Sequence, residues 1–278
     1  MNKKFLLFPL FFFVLGCASH SFNEINSQIE KVNEQNVVLN RYSINPNSLV
    51  KTDEGYAFVS STSKGLGLFF LNDRYQPIKE KTICENFSPK KLAFSDKRFY
   101  LLGYDEKKQK TALLTLNSKG RLISKTYYGK KFDIPIDLFV KNGKPIILTD
   151  AFRKNTDLEI FYGDEKFLLK EKHNLLGKFV RPFNGGILIL ASIQRPEEDL
   201  YIAFLKNGKI KWKKTINFGM QDEPIKVEIK NGFAVISVIS TDFMGASKYF
   251  TLKINENGKI LKIKKELQNE KLTLRFRT

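Results

Sequence analysis

The feature that most constrains the fold of this sequence is a tight turn that recurs between two apolar segments. It falls at Gly55, Lys97, Gly143, Gly186 and Gly232, so successive turns are separated by 42, 46, 43 and 46 residues. Most of these turns contain Asn-Gly or combine Asp with Gly, residues that tolerate the positive φ angles of β-hairpin turns. A regular repeat of this length predicts a chain built from similar β units.

A second hairpin follows the first in every unit, so each unit is predicted to contain four strands, here called A, B, C and D. The second turns are Asn72–Arg74, Asn117–Gly120, Gly163–Glu165, Lys206–Gly208 and Asn255–Gly258. The B strands are apolar at consecutive positions, as in strands that are buried on both faces. Four antiparallel strands per roughly 40–50 residues are typical of a β-propeller blade, with a stacked solenoid as the main structural alternative.

The D segments alternate lysine with apolar residues, a pattern that keeps the exposed edge of a sheet from pairing with other chains. They contain 13 of the 38 lysines, so the architecture accounts for part of the formal net charge of +18. Strand-like segments at 37–44 and 272–277 flank the repeats and could pair in a partial extra blade. The predicted fold is therefore all-β, a β-propeller of five or six four-stranded blades.

The N-terminus predicts export. A cationic start at Met1–Lys4 precedes a short apolar run, Phe5–Gly16, which has the organisation of a signal peptide and is too short for a mature transmembrane helix. We therefore divide the chain into a signal peptide (1–16), a tether (17–36) and a propeller domain (37–278). Ile25, Ile29 and Val32 have helical spacing, so the tether is either a short helix or disordered.

Val14-Leu15-Gly16-Cys17 resembles the lipobox of bacterial lipoproteins. The resemblance implies that lipid is attached to the thiol of Cys17, that the chain is cleaved before it, and that the protein is held on a membrane. A plain secretory signal is the alternative. Since Ala18 rather than aspartate follows the cysteine, we expect the outer membrane, with the protein facing the periplasm or the cell surface. Acylation of Cys17 would leave Cys84 as the only other cysteine, without a disulfide partner.

Two further segments resemble repeats of known propellers. Asp53-Glu54-Gly55-Tyr56 and Leu205–Trp212 match the turn and strand pattern of quinoprotein-like propellers and of the outer-membrane assembly lipoprotein built from such repeats. The resemblance covers about residues 45–267 and rests on turn and packing positions. It implies the fold but not an activity, because one propeller fold serves many functions.

The sequence contains little that predicts catalysis. Its two histidines, His20 and His173, form no recognisable triad, and no cluster has metal-ligand spacing. No phosphate-binding or dinucleotide-binding motif occurs, so we expect neither an enzyme nor a cofactor or metal. Acidic clusters at 197–199 and 222–223 leave one alternative, a carbohydrate-binding or hydrolytic propeller that acts on an acidic envelope polymer.

A binding function is favoured by the loops. In a propeller the B–C and D–A loops emerge on one face, where interface-type side chains of this sequence are concentrated. The candidate partner-binding residues are Phe87, Phe132, Phe152, Arg153, Arg195, Phe243 and Met244. The alternative is that the aromatic residues plug the channel or pack on neighbouring loops. We therefore predict a lipid-anchored envelope scaffold that docks a protein partner; nucleic acid is disfavoured by export.

Overall fold

The computed structural model of the chain describes residues 48–266, which contain 20 β-strands. The predicted signal peptide, Cys17, the tether and the flanking segments 37–44 and 272–277 lie outside the described residues. Within 48–266, no helix is long and apolar enough to cross a membrane.

The strands form five four-stranded antiparallel units in chain order, which are the blades of a β-propeller. Blade 1 contains β1 (Val50–Thr52), β2 (Gly55–Thr62), β3 (Gly65–Leu71) and β4 (Pro77–Cys84). Blade 2 contains β5 (Phe87–Ser95), β6 (Arg98–Asp105), β7 (Lys110–Asn117) and β8 (Leu122–Tyr128). Blade 3 contains β9 (Ile134–Lys141), β10 (Lys144–Phe152), β11 (Thr156–Tyr162) and β12 (Glu165–Leu169). Blade 4 contains β13 (Asn174–Phe183), β14 (Gly186–Gln194), β15 (Glu198–Lys206) and β16 (Lys209–Ile216). Blade 5 contains β17 (Gln221–Lys230), β18 (Phe233–Thr241), β19 (Ser247–Ile254) and β20 (Ile260–Glu266).

The predicted turns close most of the first hairpins as expected. Asn142-Gly143 and Asn231-Gly232 have positive φ at both residues, 49° and 69° in the first pair and 49° and 77° in the second. This geometry matches the right-handed twist of the two strands that the turn joins. In blade 4 the turn is Asn184-Gly185, one residue before the predicted Gly186. The D strand predicted at 167–172 is β12, which ends at Leu169.

The B strands of blades 1 to 4 are buried on both faces, as their consecutive apolar residues predict. In β18 of blade 5, by contrast, buried residues alternate with partly buried ones. In β6, Leu101 packs into the core between blades 1 and 2, and the next residue, Leu102, packs between blades 2 and 3. In β14, Ile189 faces blade 3 and Leu190 faces blade 5. Since burial of one such side chain contributes about 1.5–3 kcal/mol, these interblade cores are the main source of stability.

A β-bulge recurs in the innermost strand of blades 2 to 5. One residue of each strand has no partner in the ladder. In blades 2, 3, 4 and 5, respectively, it is Lys90, Ile136, Lys178 and Ile225. It directly follows Pro89, Pro135, Gly177 or Pro224. Both residue types are common at β-bulges. Proline has no N–H to donate to the ladder, and glycine tolerates the irregular backbone angles of a bulge.

The innermost strands of blades 2, 3 and 4 are also connected through one carboxylate. Asp137 is 2% exposed and is paired with Lys91 of β5. On the other side it accepts hydrogen bonds from the amide of Val180, at 2.9 Å, and from Nη1 of Arg181, at 2.5 Å. A buried charge is tolerated when it is paired and hydrogen-bonded in this way.

Candidate partner-binding surface on the loop face

The B–C and D–A loops are hydrogen-bonded to each other, so they share one face of the propeller, which we call the loop face. The amide of Phe132 in a D–A loop donates to the carbonyl oxygen of Gln109 in a B–C loop, at 2.9 Å. The amide of Met220 likewise donates to the carbonyl oxygen of Thr241, at 3.1 Å. The predicted location of these loops on a common face is therefore what the structure shows.

An open depression of about 640 Å³ lies on the loop face between blades 2 and 3, and we call it the apolar hollow. Its apolar walls are Pro89, Tyr104, Phe132, Ile134, Pro135 and Phe152. Three of these side chains remain exposed, to 53% for Phe132, 43% for Ile134 and 48% for Phe152. Adjacent exposed apolar side chains around a concave site are typical of interaction surfaces.

Phe132 is held in an unusual backbone conformation. Its φ is 72°, in the left-handed region that bulky residues rarely adopt. The hydrogen bond to Gln109 fixes this conformation, and Nζ of Lys131 lies 4.9 Å from the centre of the Phe132 ring. Phe132 thus combines a left-handed backbone with a ring that is half exposed to solvent.

Arg153 supports both exposed aromatic residues from beneath. Its Nη1 donates to the carbonyl oxygen of Phe152 and to Oδ1 of Asp133, each at 2.7 Å. Its Nη2 donates to Oδ2 of Asp133 at 3.0 Å and to Glu159 at 2.9 Å. Arg153 therefore links the residue after Phe132 to the backbone of Phe152, and fixes the two walls of the hollow relative to each other.

The charges beneath the hollow are paired. Asp133 is fully buried, which alone would raise its pKa, but the bonds from Arg153 and from the amide of Lys130 lower that pKa below its usual value. The amide of Lys130 lies 2.6 Å from Oδ2 of Asp133. Asp133 thus stays ionised and keeps Arg153 in place at neutral pH.

A second group of predicted residues lies between blades 4 and 5. Phe243 and Met244, at the tip of the B–C loop of blade 5, are 85% and 87% exposed. The loop turns around Asp242, whose Oδ1 accepts from the amide of Met244 at 3.0 Å. Arg195 and Phe243 line a depression of about 530 Å³ beside this loop, and Arg195 is paired with Asp199.

The seven predicted residues are therefore not one patch. Phe132 and Phe152 line the apolar hollow, and Arg153 is bonded to Asp133 and to the backbone of Phe152 next to it. Arg195, Phe243 and Met244 lie at blades 4 and 5. Phe87 is the first residue of β5 and is only 6% exposed. It packs in the core between blades 1 and 2, so it does not belong to the exposed surface.

Sequence reasoning missed Tyr104, Ile134, Pro135 and Lys90, which also line the hollow. A signal for two of them was present, because Asp133-Ile134-Pro135 is matched by Asp222-Glu223-Pro224 two blades later. Both aspartates are 0% exposed and accept a hydrogen bond from an amide of their own loop. The repeated Asp-x-Pro pattern therefore marks where a D–A loop enters the next blade.

The acidic clusters are engaged within the protein. Asp199 pairs with Arg195 and accepts a hydrogen bond from Asn217, at 2.8 Å, and Glu223 pairs with Lys178, at 2.7 Å. Burial is the main cause that raises the pKa of Asp222. Within 48–266, no group of three or more His, Cys, Asp or Glu side chains could hold a metal ion.

No protein-family model and no curated protein sequence matches the chain. Its fold is similar to that of solved structures. With the dihydro-heme d1 dehydrogenase NirN the TM-score is 0.50 at 12% identity, over 76% of this chain and 44% of that one. With a puromycin-hydrolysing peptidase of Mycobacterium tuberculosis it is 0.50 at 6%, over 78% and 37%. With BamB from Moraxella catarrhalis it is 0.47 at 10%, over 78% and 62%.

The chain thus spans less than two thirds of each of these proteins. At such low identity the likeness shows the fold alone. These proteins include a dehydrogenase and a peptidase, so the shared fold assigns no activity to this chain.

Proposed function

We propose that this protein is a lipid-anchored binding or scaffold protein of the bacterial envelope, and that its loop face docks a protein partner at the apolar hollow. The observation that carries the proposal is the arrangement of Phe132 and Phe152. Both rings are about half exposed, one stands on a left-handed backbone, and Arg153 fixes the backbone beneath both.

The hollow suits an apolar side chain of a partner. Aromatic side chains that are already fixed before binding lose little conformational entropy on association, which makes them effective interface anchors. The exposed Lys90 and Lys131 at its margin would favour acidic residues beside that apolar side chain. The proposed partner is therefore an envelope protein with an exposed apolar residue flanked by carboxylates.

Site-specific photo-crosslinking in living cells tests this proposal. A photoreactive amino acid replaces Lys131, next to Phe132, and we expect a discrete adduct with one envelope protein after irradiation. Phe132→Ala and Phe152→Ala should each reduce the adduct by about tenfold or more, because anchor residues at interface centres carry at least ~2 kcal/mol.

The matched control places the same crosslinker at Lys144, an exposed residue of an A–B turn on the opposite face. It should give no such adduct. An adduct of equal yield from Lys144, or one from position 131 that survives both alanine substitutions, would show that the partner does not use the hollow. Phe243→Ala separates the two groups of loop residues, and we expect it to leave the adduct at position 131 unchanged.

Membrane attachment is tested separately at Cys17. If its thiol carries lipid, Cys17→Ser should abolish incorporation of labelled fatty acid and should move the protein from the membrane fraction to the soluble fraction. Incorporation of label into the Cys17→Ser variant would contradict the anchor without affecting the proposal for the hollow.

The alternative, a propeller that acts on an acidic polymer, is less well supported. Asp199 is buried and bonded to Arg195 and Asn217, and the exposed Glu223 is already paired with Lys178. The apolar hollow also offers a polymer of sugars few polar groups to bind.

A further inference from the structure

Lysines are concentrated on the outer edges of blades 4 and 5. The edge strand of blade 4, β16, carries Lys209, Lys211, Lys213 and Lys214. In blade 5, Lys259 precedes β20, which carries Lys262, Lys264 and Lys265. We call residues 209–214 and 259–265 together the basic edge, and these two segments contain no acidic residue.

The need to keep an edge strand from pairing with other chains does not account for this concentration of lysines. The edges of blades 1 to 3 carry fewer lysines, and acidic residues lie beside these lysines or pair with them. In β4, Glu80 stands between Lys79 and Lys81. The lysine of β8, Lys125, is paired with Asp105, and that of β12, Lys166, is paired with Glu159. Three edges in the same fold are thus protected with a small net charge, so the excess on blades 4 and 5 needs another explanation.

Most lysines of the basic edge are not neutralised within the protein. Lys213 is paired with Glu171, at 2.6 Å. Lys209, Lys211, Lys214, Lys259, Lys262 and Lys265 form no ion pair with another residue of the described range. All of these except Lys214 are exposed. A patch of uncompensated like charges destabilises the folded chain slightly by repulsion, and an anionic partner would relieve that repulsion.

The two halves of the basic edge are fastened together. The indole Nε1 of Trp212, in the middle of β16, donates to the carbonyl oxygen of Glu256 in blade 5, at 2.7 Å. Its ring also lies against Gly258 in the same turn, which directly precedes Lys259. The lysines of both blades therefore form one continuous surface rather than two independent strands.

Exposed apolar side chains are interspersed among these lysines. Ile210, Leu261 and Ile263 are 46%, 44% and 49% exposed. Leu261 and Ile263 flank Lys262 in the sequence of β20, and the aliphatic stems of the lysines add further apolar surface to this edge. Lysine mixed with aliphatic residues on an open surface is the composition that binds at the interface of an anionic membrane.

We propose that the basic edge binds an anionic lipid surface and so lays the outer rim of blades 4 and 5 against the membrane. Phospholipid headgroups fit it better than a folded acidic protein does. The lysines form a strip along two strands, and lysine, unlike arginine, provides a point charge rather than a fork for specific carboxylate pairs. This proposal does not depend on the function proposed for the hollow.

The structure offers a direct probe, because Trp212 is the only tryptophan of the chain and lies within the basic edge. The full chain is added to vesicles of phosphatidylcholine alone, or of equal parts phosphatidylcholine and phosphatidylglycerol, each with brominated acyl chains that quench tryptophan. We expect quenching with the anionic vesicles only, and its loss at about 0.5 M NaCl, where surface charges are screened within a few ångströms. An N-terminal anchor would act equally on both vesicle types, so it cannot mimic this difference.

The test variant reverses Lys211, Lys214, Lys262 and Lys265 to glutamate. Since each lysine near an anionic surface contributes about fivefold to binding, the variant should partition onto anionic vesicles at least roughly a hundredfold more weakly. The control variant reverses Lys79, Lys81, Lys119 and Lys144, which changes the net charge equally and should keep the quenching. If circular dichroism shows that reversal of Lys211, Lys214, Lys262 and Lys265 impairs folding, a second variant with glutamine at these four positions replaces it.

Equal quenching in neutral and anionic vesicles, or quenching that survives the four reversals, would overturn the proposal. It would also be wrong if both variants lost quenching alike, since net charge rather than this edge would then be responsible. A change in Trp212 fluorescence with polyglutamate or DNA, but none with anionic vesicles, would assign the basic edge to another class of partner and would likewise refute it.

Discussion

Trp212 and Glu256 join the last two described blades through a single hydrogen bond. The indole Nε1 of Trp212 in β16 donates to the carbonyl oxygen of Glu256, in the turn before β20, at 2.7 Å. The ring of Trp212 also packs 5.7 Å from the ring of Phe204, measured between centroids, inside the core between blades 4 and 5. Trp212 therefore connects an outer edge strand both to its own blade and to the next one.

Replacement of Gly258 by alanine should disrupt this contact. A Cβ atom at position 258 would lie 2.7 Å from Cδ2 of Trp212, and the residue has a φ of 75°. Gly163, with a φ of 60° and no atom within 4 Å of its would-be Cβ, is the matched control. We expect Gly163→Ala to lower the free energy of unfolding by about 1 kcal/mol, from backbone strain alone. Gly258→Ala should cost roughly 1–3 kcal/mol more because of the clash.

Urea denaturation of both variants measures the difference. An equal loss of stability in the two would mean that the indole moves aside at little cost, and that Trp212 does not rigidly couple the blades.

Arg153 and Arg195 occupy similar positions in successive B–C loops, but their substitution should have unequal effects. Arg153 bridges the fully buried Asp133 and the 1%-exposed Glu159, so Arg153→Ala removes a charged partner from each and leaves Asp133 with the amide of Lys130 and Glu159 with Lys166. That loss typically costs about 3–5 kcal/mol. The side chain of Arg195 is 40% exposed, and its partner Asp199, although buried, keeps the hydrogen bond from Asn217 in the variant. Arg195→Ala should therefore cost less, about 1 kcal/mol.

Denaturation midpoints compare the two arginine variants. Arg153→Ala should also weaken crosslinking from position 131, because Phe132 and Phe152 lose their common support. Crosslinking at full strength in a folded Arg153→Ala protein would show that partner binding at the hollow does not depend on the hydrogen bonds of Arg153.

Asp150 should make the protein less stable as the pH rises from about 4 to about 6. Burial raises its pKa to about 6, while the amide of Gly177, 2.9 Å from Oδ1, and Lys178 and Lys90 act in the opposite direction. In the unfolded chain the pKa is about 3.9, so between these values the folded state binds more protons than the unfolded state. Stability from this group is fully present below about pH 4 and is lost as the pH passes 6.

The variant Asp150→Asn tests this dependence, since its amide oxygen can still accept from Gly177. We expect it to be more stable than the original protein at pH 7, by up to about 3 kcal/mol, and to show no difference near pH 4. A constant difference across this pH range would mean that Asp150 does not titrate as described.

Cys84 should react slowly with thiol reagents in the folded protein. Its side chain is partly buried, and this burial, more than the opposing effect of Lys125, raises the pKa of the thiol. In a Cys17→Ser chain, where Cys84 is the only thiol, alkylation at pH 8 should be slower than in denaturant. Equal rates under both conditions would indicate that β4 opens readily at its end.

Much of the fold could be predicted because its signals are local. A turn such as Asn142-Gly143 requires positive φ at two residues, which few residue types allow. Consecutive apolar residues such as Leu101 and Leu102 must point to opposite faces of a strand, so both faces had to be buried. These two local rules predicted the turns and strands of each unit, and the regular repeat of the units then predicted a propeller with a common loop face.

The positions of single side chains relative to other blades could not be predicted in this way. Phe87 and Phe132 both follow a D strand in the sequence, yet packing between blades buries the first and leaves the second half exposed. Strain at Phe132 and the bonds of Arg153 to Asp133 depend on residues 20 or more positions apart.

The repeating four-stranded unit, its turns and its buried faces follow from the order of the residues, because backbone conformation and strand alternation depend on sequence neighbours. The shared hollow of Phe132 and Phe152, and the contact by which Trp212 joins two lysine-rich edges, follow only from the folded arrangement of the blades. Both arise from contacts between blades, whose geometry is set by the packing of the whole core rather than by any local segment.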